Sequence, residues 1–291
     1  MSKHFLFTVL ILFVLTGCST TPDEEGESIT RSPEYHYRQG VAALHRERFK
    51  AATEHFQDLD RKHPFSPWAV RGQMNLIYAW YKREEFAEAI AAAERFIRLH
   101  PRHDNAAYAF YMRGLSNFAQ ISDAHRDQKK TREAVVALQE LVRRFPKTDY
   151  AEEAQRMMVV CRDRIAAHEV VVGRYYLDHA EYIAAARRFK RLVEDPVFSS
   201  TSYVEEALFS LVLSSLHLGL EEEARNYAVV LGHNFSDGAF YGQSVAMLAG
   251  GKAPSTSALN DMRPDVEEDS LLRQFMGGMT PGMLPQQMMG N

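Results

Sequence analysis

Few residues in this chain are spaced as a catalyst would need them. His168-Glu169-Val170-Val171-Val172 begins like a zinc-protease helix, but valine stands where the second histidine ligand must be. Gly114-Leu115-Ser116-Asn117-Phe118 lacks the closing glycine of a nucleophile elbow. Gly250-Gly251-Lys252 lacks the upstream glycine and the Ser/Thr of a phosphate loop. His100 and His103 flank Pro101 with no third ligand suggested nearby, and the remaining histidines, of twelve in all, are scattered. Cys161 has no sequence-local partner and reads as a small buried apolar residue. These patterns predict a chain that is not an enzyme and holds no metal or other cofactor.

Two other kinds of chemistry remain. The first is covalent lipid at Cys18. Lys3 and His4 make a short basic start, residues 5–15 are apolar apart from Thr8, and Leu15-Thr16-Gly17 leads directly into Cys18. The apolar run is too short to span a membrane and reads as a signal-peptide core. A cleavage site followed at once by cysteine is similar to the bacterial lipoprotein signal. The expectation is a signal peptide over residues 1–17 and diacylglycerol plus an N-acyl chain on Cys18, because more than one chain makes anchoring stable. Ser19 follows where an inner-membrane retention signal would place Asp, which favours the outer membrane, periplasmic face. Residues 18–32 are polar and acidic and read as a flexible tether.

The second is recognition by aromatic rings, which depends on how helices present them. Residues 63–101 (HPFSPWAVRGQMNLIYAWYKREEFAEAIAAAERFIRLHP) read as a turn, an apolar-periodic helix, a polar break and a second amphipathic helix stopped by Pro101. The same grammar recurs along the chain at a spacing close to the ~34-residue tetratricopeptide period. Gly40, Ala52, Phe56 and Pro64 mark the first unit. Ala89 and Pro101 repeat Ala52 and Pro64 at an offset of 37, with Ile77 at the glycine place. Gly114, Ala134, Leu138 and Pro146 mark the third unit, with extra polar residues at 120–130 expected to protrude as a loop. Residues 149–167 read as an extra helix. Gly173, Ala185, Phe189 and Pro196 mark the fourth unit, and Ala224 and Ala228 the fifth, with Val212 at its glycine place. Residues 239–248 read as a capping helix. The expected fold is all-α: an α-solenoid of about five tetratricopeptide-like hairpins with one extra helix and a C-terminal cap. Units 1–3 occupy residues 33–147 and units 4–5, with the extra and capping helices, 148–250.

Counting places along the first helix of each hairpin gives the residues expected to line an inner groove. The aromatic ones concentrate in the first three units: Tyr37, Tyr78, Tyr81, Tyr108, Tyr111 and Phe118. Such rings suit a groove that holds apolar or aromatic side chains while keeping a polar contact. Arg71 and Lys82 could meet a carboxylate there. The alternative is that several of these rings pack between helices. The clamp pattern of chaperone-binding repeats is missing, since Tyr37 and Val41 occupy its first two places.

Bulk properties agree with a scaffold. The formal charge of −4 offers no basic field, so no nucleic-acid partner is expected. The two cysteines sit in contexts too different for a disulfide framework. Residues 251–291 are rich in Pro, Gly, Ser and Met and read as a disordered tail, in which 271–276 could instead be a short docking motif.

Four stretches carry a resemblance: Pro64-Phe65-Ser66-Pro67-Trp68, Leu76-Ile77-Tyr78-Ala79-Trp80-Tyr81-Lys82, Arg95-Phe96-Ile97-Arg98-Leu99-His100-Pro101 and Tyr111-Met112-Arg113-Gly114-Leu115. With the lipoprotein signal, they resemble the BamD family, lipoproteins of the outer-membrane β-barrel assembly machinery, over roughly residues 18–250. The resemblance implies binding to the periplasmic domains of BamA and contact with accessory lipoproteins of that complex. It also implies recognition of the C-terminal, often aromatic, segments of unfolded outer-membrane proteins by the N-terminal repeats. The C-terminal repeats would face BamA, with Arg188 aligned to a family arginine that matters there. The loop at 120–130 is shorter than in well-known members, and the tail after Gly251 lies outside the resemblance. The competing reading is another tetratricopeptide lipoprotein, such as a pilus-assembly or cell-wall-coordination factor.

Overall fold

The computed structural model describes residues 31–263. The expected signal segment, Cys18, the expected tether up to residue 30 and the 271–276 cluster lie outside the described residues. Twelve α-helices follow in order among them: α1 (Pro33–His45), α2 (Phe49–Lys62), α3 (Pro67–Lys82), α4 (Phe86–Leu99), α5 (Ala106–Phe118), α6 (Lys129–Arg144), α7 (Asp149–Asp178), α8 (Tyr182–Glu194), α9 (Val204–His217), α10 (Glu221–Asn234), α11 (Ala239–Leu248) and α12 (Thr256–Met262). No strand occurs among the described residues. The fold is an all-α tetratricopeptide-like solenoid, and no helix among those residues is long and apolar enough to cross a membrane.

Local chemistry sets the helix starts. Ser32 and Ser66 cap α1 and α3, accepting from the backbone N–H groups of Tyr35 at 3.1 Å and Trp68 at 3.2 Å. Pro33 and Pro67 then occupy the first turns, where a missing N–H costs nothing. Thr148 caps α7 in the same way, accepting from Ala151. Within hairpins the turn places one residue in the left-handed region: Glu47, Glu84, Ala180 and, with no Cβ penalty, Gly219.

The hairpins close through one pair of positions. A Cβ built on Gly40 would fall 2.5 Å from the Phe56 ring, and one on Gly173 would fall 2.6 Å from that of Phe189. Both pairs are sixteen residues apart. At the same separation the second and fifth units carry Ile77 with Ala93 and Val212 with Ala228, each pair within one core cluster. Bulk has moved from the second helix to the first, so the volume of the contact is kept while its sides are exchanged. In the third unit Gly114 meets Leu138, with the inserted residues between them.

First helices of adjacent units touch (α1 with α3, α3 with α5, α5 with α7), whereas consecutive second helices make no contact of similar extent among the described residues. The stack therefore closes toward its first helices, which form the inner face. At the C-terminal end α11 packs on α9 and α10 as the cap.

Three expectations change. The extra helix at 149–167 is not separate: α7 runs unbroken for 30 residues and serves as both that helix and the first helix of unit 4. No proline or glycine stands between residues 149 and 172 to stop it. The segment at 120–130 does not protrude. Ala124 is fully buried in the cluster containing Ala166, Val170 and Phe189, and its carbonyl oxygen lies 2.7 Å from His168 Nδ1. Gln128 is buried beneath the turn and donates to the carbonyls of Asp123 and Arg126. Finally, residues 252–263, expected to be disordered, carry α12, whose Leu259 is buried in the C-terminal cluster.

Candidate functional site

The inner face of units 1–3 is built by α1, α3, α5 and the start of α7. Helical spacing puts Tyr78 above Tyr81 on α3 and Tyr108 above Tyr111 on α5. The structure brings these four together with a fifth ring, Tyr150. Tyr111 and Tyr150 have centroids 5.2 Å apart, and Tyr108 and Tyr150 6.0 Å apart. Tyr81 continues the series to Phe86 at 5.8 Å.

Depth divides the set. Tyr108 is 1% exposed and Tyr111 5%, whereas Tyr78 and Tyr81 are only half-buried. Tyr37 and Phe118, also expected in the groove, are buried: Tyr37 packs on Trp68 at 4.9 Å and Phe118 lies in the central core. Four expected contact residues, Tyr37, Tyr108, Tyr111 and Phe118, are thus the wall behind the face, because neighbouring first helices approach closely enough to cover them. Of the expected rings, Tyr78 and Tyr81 remain accessible, with Tyr150 half-buried beside them.

The rings along the centre of the face are polar but neutral. Burial raises the phenols of Tyr78, Tyr81, Tyr108 and Tyr111, and pushes that of Tyr150 up to about 12. All five therefore stay neutral near pH 7, able to donate and accept hydrogen bonds. The Tyr108 hydroxyl is buried with no hydrogen-bond partner.

Cations stand at the edges. Arg71 is exposed, with its guanidinium 5.5 Å from the centroid of Trp68. Arg156 on α7 is more than half exposed, donates its Nε to Glu153 at 2.9 Å, and acts electrostatically on Tyr111. Lys82 is placed differently: its ammonium lies 5.6 Å from the Phe49 ring at the start of α2. Tyr150 and Arg156 were not anticipated. Trp68 and Tyr150 each lie four residues after a unit-closing proline (Pro64 and Pro146), a shared spacing that could have drawn attention to Tyr150.

Arg188 lies on the other half of the molecule. Its Nη1 donates to Glu169 Oε2 at 3.1 Å, and Arg191 Nη1 donates to the other carboxylate oxygen at 3.2 Å. Glu169 is buried on α7, while Arg188 keeps about a third of its side chain in solvent. It therefore joins an internal ion pair and a surface position.

A family model described as "YfiO: Outer membrane lipoprotein" matches residues 30–230. The outer membrane protein assembly factor BamD of Caulobacter vibrioides is 36% identical over 260 residues, covering 89% of this chain and 82% of that protein. BamD of Neisseria meningitidis serogroup A is also 36% identical, over 252 residues, covering 82% and 93%. Among solved structures, the TPR2AB domain of yeast Sti1 in its pHSP90 complex aligns over 74% of this chain and 82% of its own, at 12% identity and a TM-score of 0.39.

Proposed function

The chain belongs to the YfiO outer membrane lipoprotein family, that of the outer membrane protein assembly factor BamD, and from this premise we propose that it is a scaffold in outer-membrane protein assembly. It carries out no covalent chemistry. Lipid on Cys18 holds it at the periplasmic face of the outer membrane. Units 1–3 receive the C-terminal segments of unfolded outer-membrane proteins, and units 4–5, with Arg188, bind the periplasmic domains of BamA. Accessory lipoproteins of the same complex complete its partners.

The observation that supports the substrate role is the pair Tyr78 and Tyr81, half-buried on an inner face where Tyr108 and Tyr111 are sealed behind them. A terminal aromatic side chain stacks on these rings at offset or edge-on geometry. Their neutral hydroxyls pair with peptide backbone, and Arg71 or Arg156 receives the terminal carboxylate by a charge-assisted hydrogen bond. Rigid tyrosines lose little conformational freedom on binding, which suits a site that must accept many sequences sharing only their end.

Purification of the tagged chain from detergent-solubilised outer membranes tests the role. Recovery of the β-barrel assembly subunit with it is the expected outcome. Recovery of pilus or cell-wall components without any such subunit would overturn the proposal.

A further inference from the structure

Part of the inner face of units 4 and 5 is already covered, and by the chain itself. After Gly251 the backbone turns back and forms α12, capped by Ser255, whose Oγ accepts from the Ala258 N–H at 3.3 Å. Leu259 is buried in the cluster that holds Phe209 and Leu213 of α9, and Met262 and Leu177 pack half-buried against the same cluster. Arg263 ends the segment with its side chain 8% exposed and its Nε 3.3 Å from Glu206 Oε1.

Glu206 explains why an arginine ends there. It is 1% exposed on α9 and is held from one side by Arg174 of α7, whose Nε and Nη2 donate to its two oxygens at 2.7 and 2.6 Å. Arg174 alone neutralises it. Arg263 is a second guanidinium on the same carboxylate, opposed by the charge of Arg174 and supported by that of Asp178. It is the removable partner. Among the described side chains, the attachment includes one buried leucine, one half-buried methionine and this shared ion pair, set against the ordering of residues 252–263. A segment so lightly held belongs to the low-stability end of the fold.

We propose that the inner face of units 4 and 5 is a second peptide-docking groove and that residues 252–263 are its tethered occupant. The groove takes a short helical segment with apolar residues at i and i+3 followed by an arginine at i+4, the order Leu259, Met262, Arg263. A partner segment of that chemistry binds only by displacing the strap, so the tail sets a threshold for docking. This inference does not depend on the assembly role.

A fluorescent peptide of residues 252–263, added to the full chain and to a full-length Leu259→Asp/Arg263→Glu variant, tests the idea. Both substitutions lie beyond α11, and circular dichroism checks that the variant's repeats stay folded. The variant should bind the peptide about tenfold or more tightly than the unaltered chain, whose groove is filled. A peptide carrying the same two substitutions should bind neither. Hydrogen exchange should show the Leu259 and Arg263 amides, which donate to Ser255 and Leu259 carbonyls, protected in the unaltered chain and released in the variant. Equal peptide binding by both proteins, or by neither, or unprotected amides in the unaltered chain, would overturn the proposal.

Discussion

Gly40 and Phe56 are in contact across the first hairpin, so close that any Cβ at position 40 would fall 2.5 Å from the ring. The contact states the repeat's rule: one helix yields volume where the other supplies it. Ile77 with Ala93 obeys the same rule with the roles exchanged.

The rule predicts an asymmetric mutant cycle. Gly40→Ala should destabilise the chain by about 1–3 kcal/mol through overpacking. Phe56→Ala should cost about 3–5 kcal/mol through the cavity left behind. Gly40→Ile combined with Phe56→Ala copies the second unit and should cost clearly less than Phe56→Ala alone. Urea denaturation measures all three, and a double variant no more stable than Phe56→Ala would show that the two positions do not share one volume.

This register was legible in the sequence because close approach restricts residue type. Other features were not. Nothing local distinguishes Tyr37 from Tyr78 as a groove residue, yet Trp68 covers the first and leaves the second half-open. Ala124 sits in a polar stretch that reads as a free loop, and only the approach of α7 shows that it is buried. The continuity of α7 could have been read from the lack of a breaker. Its double role could not, because that depends on two different hairpins packing along one helix.

Acid should loosen the first unit. His36 is buried with both ring nitrogens lacking a hydrogen-bond partner, near His55 and His63 at 6.0 and 6.3 Å. Burial, then the charge of Lys62, lowers its pKa below the ordinary 6.5, and burial lowers those of His55 and His100 too. The unfolded chain therefore takes up protons first as pH falls. The stability these groups contribute is present above about pH 6.5 and lost as pH drops through their folded values. Melting temperature should hold level from about pH 8 to 7 and fall below about 6.5, and His36→Phe should flatten part of that fall. An unchanged profile in His36→Phe would contradict this origin.

Arg188 offers a separation of interface from structure. Arg191 also holds Glu169, so Arg188→Ala leaves that buried carboxylate paired. The variant should lose about 1 kcal/mol or less of stability. Its affinity for the BamA periplasmic domains, read by titration calorimetry, should fall by about tenfold or more if the guanidinium also meets the partner. A stability loss without a binding loss would make Arg188 purely internal.

Anchoring is testable by fractionation. Cys18→Ala should move the chain from the membrane pellet to the soluble periplasmic fraction, since no lipid chains remain to bury. Unchanged membrane association would point to another means of attachment.

The most direct test of substrate recognition is the affinity of peptides ending in an aromatic residue for the Tyr78→Ala/Tyr81→Ala variant, measured beside its affinity for the BamA periplasmic domains. Removing these two rings should weaken peptide binding by about tenfold or more and leave BamA binding close to that of the unaltered chain. Undiminished peptide binding, or equal loss of both, would contradict a recognition face centred on Tyr78 and Tyr81.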